Sequence, residues 1–294
     1  MKIAIFGRYN NPSTITSFDR LLNFFKGKDI DVLIESEFLN LVNSVTSNDA
    51  LYNLFSVYNK LDDSFNLLIS IGGDGTILRA IPSVKNLDIP IIGINTGRLG
   101  FLATIQIEDI ENAVQNILNG HYTVSERSLL SIETSPENND IKNLNFALNE
   151  IAVSRKNTTS MITVDTHLDG EFLTSYWSDG LIISTPTGST GYSLSCGGPV
   201  ITPGANSFVL TPIAPHNLSA RPLIIPDSTE IQLSVSGREK QHLVSLDSRI
   251  ATLDNETIIK IKKADFKVKM IDLLDESFLK TLRKKMLWGE DKRN

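Results

Sequence analysis

Apolar and polar positions follow two different rhythms along this 294-residue chain. Up to about residue 120, short unbroken apolar runs (Lys2–Phe6, Ile30–Ile34, Leu67–Ile71, Pro90–Ile94) alternate with helix-spaced stretches. Ile15, Phe18, Leu21, Leu22 and Phe25 mark one helix, Gly75–Val84 a second, and Ile107, Ile110, Val114, Ile117 and Leu118 a third that Gly120 is placed to end. Such alternation predicts a Rossmann-like α/β domain over residues 1–121, its parallel sheet covered on both faces. From Tyr122 the helical period fades. Segments 122–134, 144–154, 160–168, 171–177, 180–185, 207–213, 222–235, 242–247 and 257–270 read as strands, and Asp169-Gly170 as a two-residue hairpin turn. This half, 122–270, is expected to be an all-β sandwich, with Pro136–Asp140 a mobile surface loop. The tail 271–294 reads as a helix whose stripe of Leu273, Leu274, Phe278, Leu282 and Met286 docks on one of the two domains.

The glycine cluster Gly72-Gly73-Asp74-Gly75-Thr76 stands directly behind the apolar run Leu67–Ile71 and ahead of a helix. A buried strand breaking into glycines brings backbone N–H groups and a helix N-terminus toward one point, a geometry suited to phosphate. A parallel sheet holds its ligands beyond the carboxyl ends of its strands, which is where this turn falls. The carboxylate at its centre is out of place in a phosphate cradle, so Asp74 is left to take a proton or to hold a metal. The alternative is a tight turn in which Asp74 caps the helix, although three glycines exceed what a cap requires.

Composition narrows the setting. An apolar fraction of 41% supports a sizeable core. No run approaches the ~18 apolar residues of a membrane span, and Met1–Phe6 reads as a first strand rather than a signal peptide. Cys196 is the only cysteine, which excludes an internal disulfide and points to a reducing cytoplasm. A formal charge of −6 leaves no electrostatic footprint for nucleic acid. His167 and His242 lie in strand patterns with no second ligand at metal spacing, so no metal site built from protein side chains is expected.

A second polar block, Ser178-Asp179-Gly180 and then Ser184 through Pro199, follows the run Leu181-Ile182-Ile183. Its density of Gly, Ser and Thr makes a poor core and a good surface for ribose, base edges and phosphate oxygens. Tyr192 supplies a planar ring of the kind a base stacks on. Asn149-Glu150 offers an amide for a base edge and a carboxylate for a diol, and is equally compatible with a polar strand start. His216 and Arg221 fit either a structural or a binding role.

In chain order, Gly72–Thr76, Gly93–Leu102, Asn149-Glu150, Asp179-Gly180 with Thr185–Pro199, Thr211–His216 with Ser219–Pro222, and Leu246-Asp247-Ser248 resemble the NAD kinases over nearly the whole length. The first motif recurs in lipid kinases and 6-phosphofructokinases; with the fourth it is highly specific. The resemblance implies an α/β domain and a β-sandwich with NAD in the cleft between them, and a C-terminal helix returning to the first domain. It implies ATP-dependent phosphorylation of the adenosine ribose 2′-hydroxyl of NAD to give NADP, with a divalent cation, magnesium, carried by ATP, in a homodimer or homotetramer. Asp74 matches the family's catalytic aspartate. Gly72, Gly73, Gly75, Arg79, Asn149, Glu150, Asp179, Thr187, Thr190, Gly191, Tyr192, Ser193, Leu194, Ser195 and Ala214 match its nucleotide-contacting positions. The chain departs from the family at Gly191, where alanine is usual, and at Arg249, where many members have glutamine. No Gly-Lys-Ser/Thr ending is present, so a P-loop lysine is excluded. The rivals are a lipid kinase of the diacylglycerol type, which would not need the 185–199 block, and a non-catalytic NAD(P) sensor.

Overall fold

The computed structural model describes residues 1–46, 48–157, 160–217 and 219–287. The chain forms two compact units, Met1–Glu126 together with Val268 onward, and Arg127–Lys267.

In the first unit, strands β1 (Lys2–Gly7), β2 (Asp31–Glu35), β3 (Ser56–Tyr58), β4 (Leu67–Ile71) and β5 (Ile91–Ile94) form a parallel sheet in the order β3-β2-β1-β4-β5. Strand β6 (Ala103–Ile105) also pairs with β5. Helices α1 (Pro12–Phe25), α2 (Ser36–Asn43), α3 (Asp49–Tyr52), α4 (Asp74–Val84) and α5 (Ile110–Leu118) connect the strands. Alternation within the strands divides the burial between two faces. Ile3, Ile5, Leu67, Ile69 and Ile71 join Phe18, Leu21, Leu22, Val114 and Ile117 in one core. Ala4, Phe6 and Leu68 are equally buried but outside that core, as are Ile77, Ala80 and Ile81 of α4. The chain leaves β1 toward β2 on one side and β4 toward β5 on the other. The crevice at the carboxyl ends of β1 and β4 is therefore the topological switch point of the sheet.

The second unit is a sandwich. Its strands are β7 (Tyr122–Ser135, entering from the first unit), β8 (Phe146–Ala147), β9 (Glu150–Arg155), β10 (Ile162–Leu168), β11 (Glu171–Ser178), β12 (Gly180–Ser184), β13 (Ser207–Ile213), β14 (Leu223–Pro226), β15 (Ile231–Gly237), β16 (Gln241–Leu246), β17 (Arg249–Asp254) and β18 (Ile258–Leu273, which runs on into the first unit). A six-stranded antiparallel sheet runs β14-β13-β12-β9-β16-β17. The facing sheet runs β11-β10-β15-β18-β7-β8. One core joins the two, with Ile151, Val153, Leu181, Ile183 and Val244 from the first and Leu130, Val164, Leu233 and Ile259 from the second. Asp169 and Gly170 take φ 49° and 84°, as the hairpin between β10 and β11 requires.

Several expectations are corrected. Segment 144–154 is two strands, broken at Leu148-Asn149, whose N–H groups turn from the ladder to the Asp247 side chain. Segment 222–235 is also two, β14 and β15, separated by a turn in which Thr229 N–H donates to Pro226 O. Strand β17 went unread. Helix α4 begins at Asp74 rather than Gly75. The expected loop at 136–140 leads into a helical turn, α6 (Asn139–Lys142), capped by Asn138. The hydroxyl-rich block holds a 3₁₀ turn, Thr187–Thr190, and a short helix, α7 (Tyr192–Ser195). The tail is not helical from Ile271. Strand β18 continues to Leu273, with Met270 paired to Ile91, and the helix is α8 (Phe278–Met286). Leu273 and Leu274 are therefore off the helix, and the stretch 288–294 of the expected helix lies outside the described residues. Within the first unit, α8 buries Leu282 and sets Phe278 against Phe101, ring centroids 6.1 Å apart.

Candidate active site

The Gly72–Thr76 turn follows β4 at the switch point. Gly72 has φ 151°, and a Cβ there would overlap the buried Thr76 hydroxyl, so both backbone and space call for glycine. At Gly73 and Gly75 a Cβ would meet open space, so these two glycines border room for a ligand. Asp74 does not cap α4: Gly73 occupies the N-cap position, with no side-chain cap bond. The carboxylate instead accepts from the loop before β6. Phe101 N–H donates to Oδ2 at 2.8 Å, and Leu102 and Ala103 N–H donate to Oδ1 at 3.1 and 2.9 Å. A carboxylate offers about four lone-pair positions, so three are filled from the backbone and one remains, on Oδ2. The group is fixed in place and keeps one acceptor direction.

The loop that holds it is built for the purpose. Asn95 is buried, donating through Nδ2 to Arg98 O (2.8 Å) and Ala103 O (3.1 Å) and accepting from Gly97 N–H (2.7 Å). Gly100 lies so close that a Cβ would overlap Asp74 Oδ1. The Phe101 ring is covered by Phe278 and by Lys285 Nζ, 4.6 Å from its centroid. These holders, Gly100 through Ala103, carry no chemistry-bearing side chain, and sequence reasoning gave them no role. The signals were a glycine three residues ahead of a short strand and the place of Gly93–Leu102 among the stretches that carry the family resemblance. Arg79 is exposed on α4 with its guanidinium over the Tyr9 ring, 5.7 Å from the centroid.

In the second unit the structure brings Asn149, Glu150 and the 187–192 segment together. Thr185 N–H donates to Asn149 O (2.9 Å), and Gly188 packs so tightly that a Cβ would overlap that same carbonyl. The Tyr192 backbone N–H donates to the Glu150 carboxyl. Glu150 Oε2 is buried with no partner among the described residues, 2.9 Å from where a Cβ of Gly191 would stand. Burial, and after it the charge of Asp247, push the Glu150 carboxyl up to about 7. Within the block the hydroxyls are partly spent on the fold. Thr190 Oγ1 donates to Thr187 O, and the fully buried Ser193 Oγ pairs with Thr211 Oγ1 at 2.8 Å. Tyr192 and Ser195 are exposed, and Leu194 is half-buried.

Asp179 and Ala214 line a cavity of about 690 Å³ with Arg155, Trp177, His216 and Arg238. Arg155 pairs with Asp179 at 2.9 Å, and the rings of Trp177 and His216 lie 5.3 Å apart. His216 is thus a wall of the cavity, its N–H donating to Trp177 O. Arg249 faces inward, its guanidinium donating to the Leu144 and Phe146 carbonyls. No group of three or more His, Cys, Asp or Glu placed to hold a metal occurs among the described residues. No described helix is long and apolar enough to cross a membrane.

Residues 3–122 match the family model of the ATP-NAD kinase N-terminal domain, and residues 148–273 that of the ATP-NAD kinase C-terminal domain. NAD kinases of Flavobacterium psychrophilum and Bacteroides fragilis are 60% identical over 294 residues and 40% identical over 300, each alignment covering all of both chains. Among solved structures, yeast NADH kinase complexed with NADH superposes with a TM-score of 0.84 at 23% identity, covering 100% of this chain and 89% of that one. An NAD kinase from Archaeoglobus fulgidus in complex with ATP gives 0.73 at 27%, covering 99% and 98%. Matched in both units and along its full length, the chain belongs to the ATP-NAD kinase family.

Proposed function

We propose that this protein transfers the γ-phosphoryl group of ATP to the 2′-hydroxyl of the adenosine ribose of NAD, giving NADP, with Asp74 as general base. The observation that carries this is the Asp74 carboxylate itself, fixed by three backbone N–H groups and left with one free lone pair at the switch point of the sheet. A ribose hydroxyl is a poor nucleophile until its proton is being removed. Asp74 Oδ2 takes that proton as the hydroxyl oxygen bonds to the γ-phosphorus and ADP leaves. General-base assistance supplies about 10²–10⁴ in rate. The rest comes from alignment and charge neutralisation, since phosphoryl transfer leaves the protein little covalent work. The Gly72–Thr76 backbone and the exposed Arg79 are the neutralisers that the turn offers.

Asn149, Glu150, Thr187, Thr190, Gly191, Tyr192, Leu194 and Ser195 serve the nucleotide directly, with Asp179 and Ala214 lining the cavity that takes part of it. Ser193 serves by holding α7 to β13 through Thr211. The donor set suits a cation delivered on the substrate rather than bound by the chain: Asp74 has one lone pair left, and no described cluster of ligands accompanies it. Magnesium carried by ATP supplies further neutralisation of the phosphates. On composition and family we place the enzyme in the cytoplasm as a homodimer or homotetramer.

Asp74→Asn keeps size and one acceptor oxygen but removes the base. The variant is expected to fold, to bind NAD, and to turn over at least about 10²-fold more slowly. Near-normal turnover of the purified variant overturns the assignment. Lost NAD affinity with little change in turnover makes Asp74 a ribose ligand instead.

A further inference from the structure

A phosphate cradle with a carboxylate at its centre needs positive charge from elsewhere. The Gly72–Thr76 turn carries no cation, and the charge of Asp74 repels any phosphate brought against it. Arg8, just past the end of β1, is spent on Glu35 and Glu37, and the Arg79 guanidinium lies over the Tyr9 ring. The C-terminal helix α8 carries three lysines, and two of them are occupied close to home. Lys280 Nζ donates to Asp275 O, and Lys284 pairs with Glu276 at 3.6 Å. Lys285 is exposed and makes no ion pair or hydrogen bond among the described residues.

The Lys285 ammonium instead rests on the Phe101 ring, 4.6 Å from the centroid, and Phe278 packs against the same ring. Phe278 and Lys285 are seven residues apart, so both fall on one face of α8, two turns from each other. The Phe101 backbone N–H, in turn, donates to Asp74 Oδ2 at 2.8 Å, and Oδ2 is the oxygen that keeps a free lone pair. A single residue thus has the proposed base on its N–H and the lysine on its ring. An exposed cation–π contact is weak, and it does not use up the three N–H donors of the ammonium. It holds the charge beside the loop without committing it.

We propose that Lys285 binds the phosphate chain of the nucleoside triphosphate that donates the phosphoryl group, leaving the Phe101 ring to do so. The proposal rests on reading Asp74 as the base of a phosphoryl transfer. A lysine suits the task because its ammonium is a compact point charge on a flexible stem, with rotatable donors. A phosphate chain offers oxygens in many directions, and such an ammonium serves whichever is presented. The ion pair offsets the repulsion between the donor and Asp74, and it draws the phosphates toward the loop that holds the base. No P-loop lysine precedes α4; the C-terminal helix supplies a lysine from the other end of the sequence.

The test is initial-rate kinetics on Lys285→Gln, with Lys284→Gln as the control that removes the same charge from the next position of the helix. Lys285→Gln is expected to raise KM for ATP about tenfold, the scale of one charge-assisted hydrogen bond, and to leave KM for NAD in place. Lys284→Gln is expected to move neither. Lys285→Arg keeps the charge and the ring contact, and its KM for ATP is expected to stay near that of the wild type. Inorganic triphosphate, used as a competitor of ATP, separates phosphates from nucleoside: its inhibition constant is expected to rise in Lys285→Gln by the same factor. A lowered kcat with KM for ATP unmoved reduces Lys285 to packing on Phe101 and overturns the inference. An equal rise in Lys284→Gln or Lys285→Arg overturns it too, as does a rise for ATP that inorganic triphosphate does not share. Each of these leaves the kinase reading standing. Failure of the wild type to form NADP from NAD and ATP overturns the kinase reading, and this inference with it.

Discussion

At the scale of single residues, the question that Asp74 raises is how a carboxylate is tolerated in a turn shaped for phosphate. The answer lies in residues with no functional groups of their own. Gly100 leaves room for Oδ1, and the N–H groups of Phe101, Leu102 and Ala103 hold the two oxygens. A methyl at position 100 forces the carboxylate or the loop to move. Gly100→Ala is therefore expected to lower kcat on the order of 10²-fold, the usual cost of misplacing a reacting group by about an ångström, with KM for NAD little changed. Steady-state kinetics on the folded variant checks this, and an unchanged kcat would show that the grip on Asp74 is dispensable. The candidate residues themselves were legible because Gly, Asp, Glu and Tyr declare their chemistry. Gly100 acts by lacking a side chain and Asp247 by accepting backbone N–H groups of residues 148–150, and a one-letter code shows neither the space a residue leaves nor where an N–H points.

Elements were legible where local chemistry fixes them. Asp169-Gly170 made its hairpin because both residues accept positive φ. The reading failed where a distant partner decides. The break between β8 and β9 is caused by Asp247, about a hundred residues on, capturing N–H groups that a local pattern would assign to a ladder. The end of β18 was mistaken for a helix because Leu273, Leu274 and Phe278 also fit helical spacing, while the pairing of Met270 with Ile91 is invisible locally. Helix α8 is short, and little besides Leu282 and Thr281 is buried along it, so its docking is open to test. Leu282→Ala is expected to destabilise the first unit by about 2–5 kcal/mol, read from urea unfolding. Kcat should fall as well, because the helix covers the side chain of Phe101, the residue whose backbone N–H holds Asp74. Lost stability with full kcat would show that the helix is packing alone.

For the whole molecule, two buried titratable groups tilt stability in opposite directions. His242 is fully buried with Nδ1 on Asn255 Oδ1 at 3.1 Å, and burial holds its pKa below the usual 6.5. Its contribution is present above pH 6.5 and lost as pH falls toward the folded value. Glu150 is the reverse: raised from 4.5 to about 7, it contributes fully below pH 4.5 and loses that contribution as pH rises through 7. Relative to wild type, Glu150→Gln should therefore gain stability between pH 4.5 and 7, by up to about 3 kcal/mol, and no more beyond. Unfolding measured across pH 4–9 tests this, and a constant difference would place the Glu150 carboxyl in an ordinary environment. By itself the sequence determined the two textures, the parallel α/β unit and the antiparallel sandwich, because hydrophobic period follows from side-chain direction in helix and strand. It also singled out the candidate residues, Asp74, Asn149, Glu150 and the 187–195 block among them. Tertiary structure alone decided what each of those groups is bonded to, since a free lone pair on Asp74 and an orphaned oxygen on Glu150 arise from contacts between segments far apart in the chain.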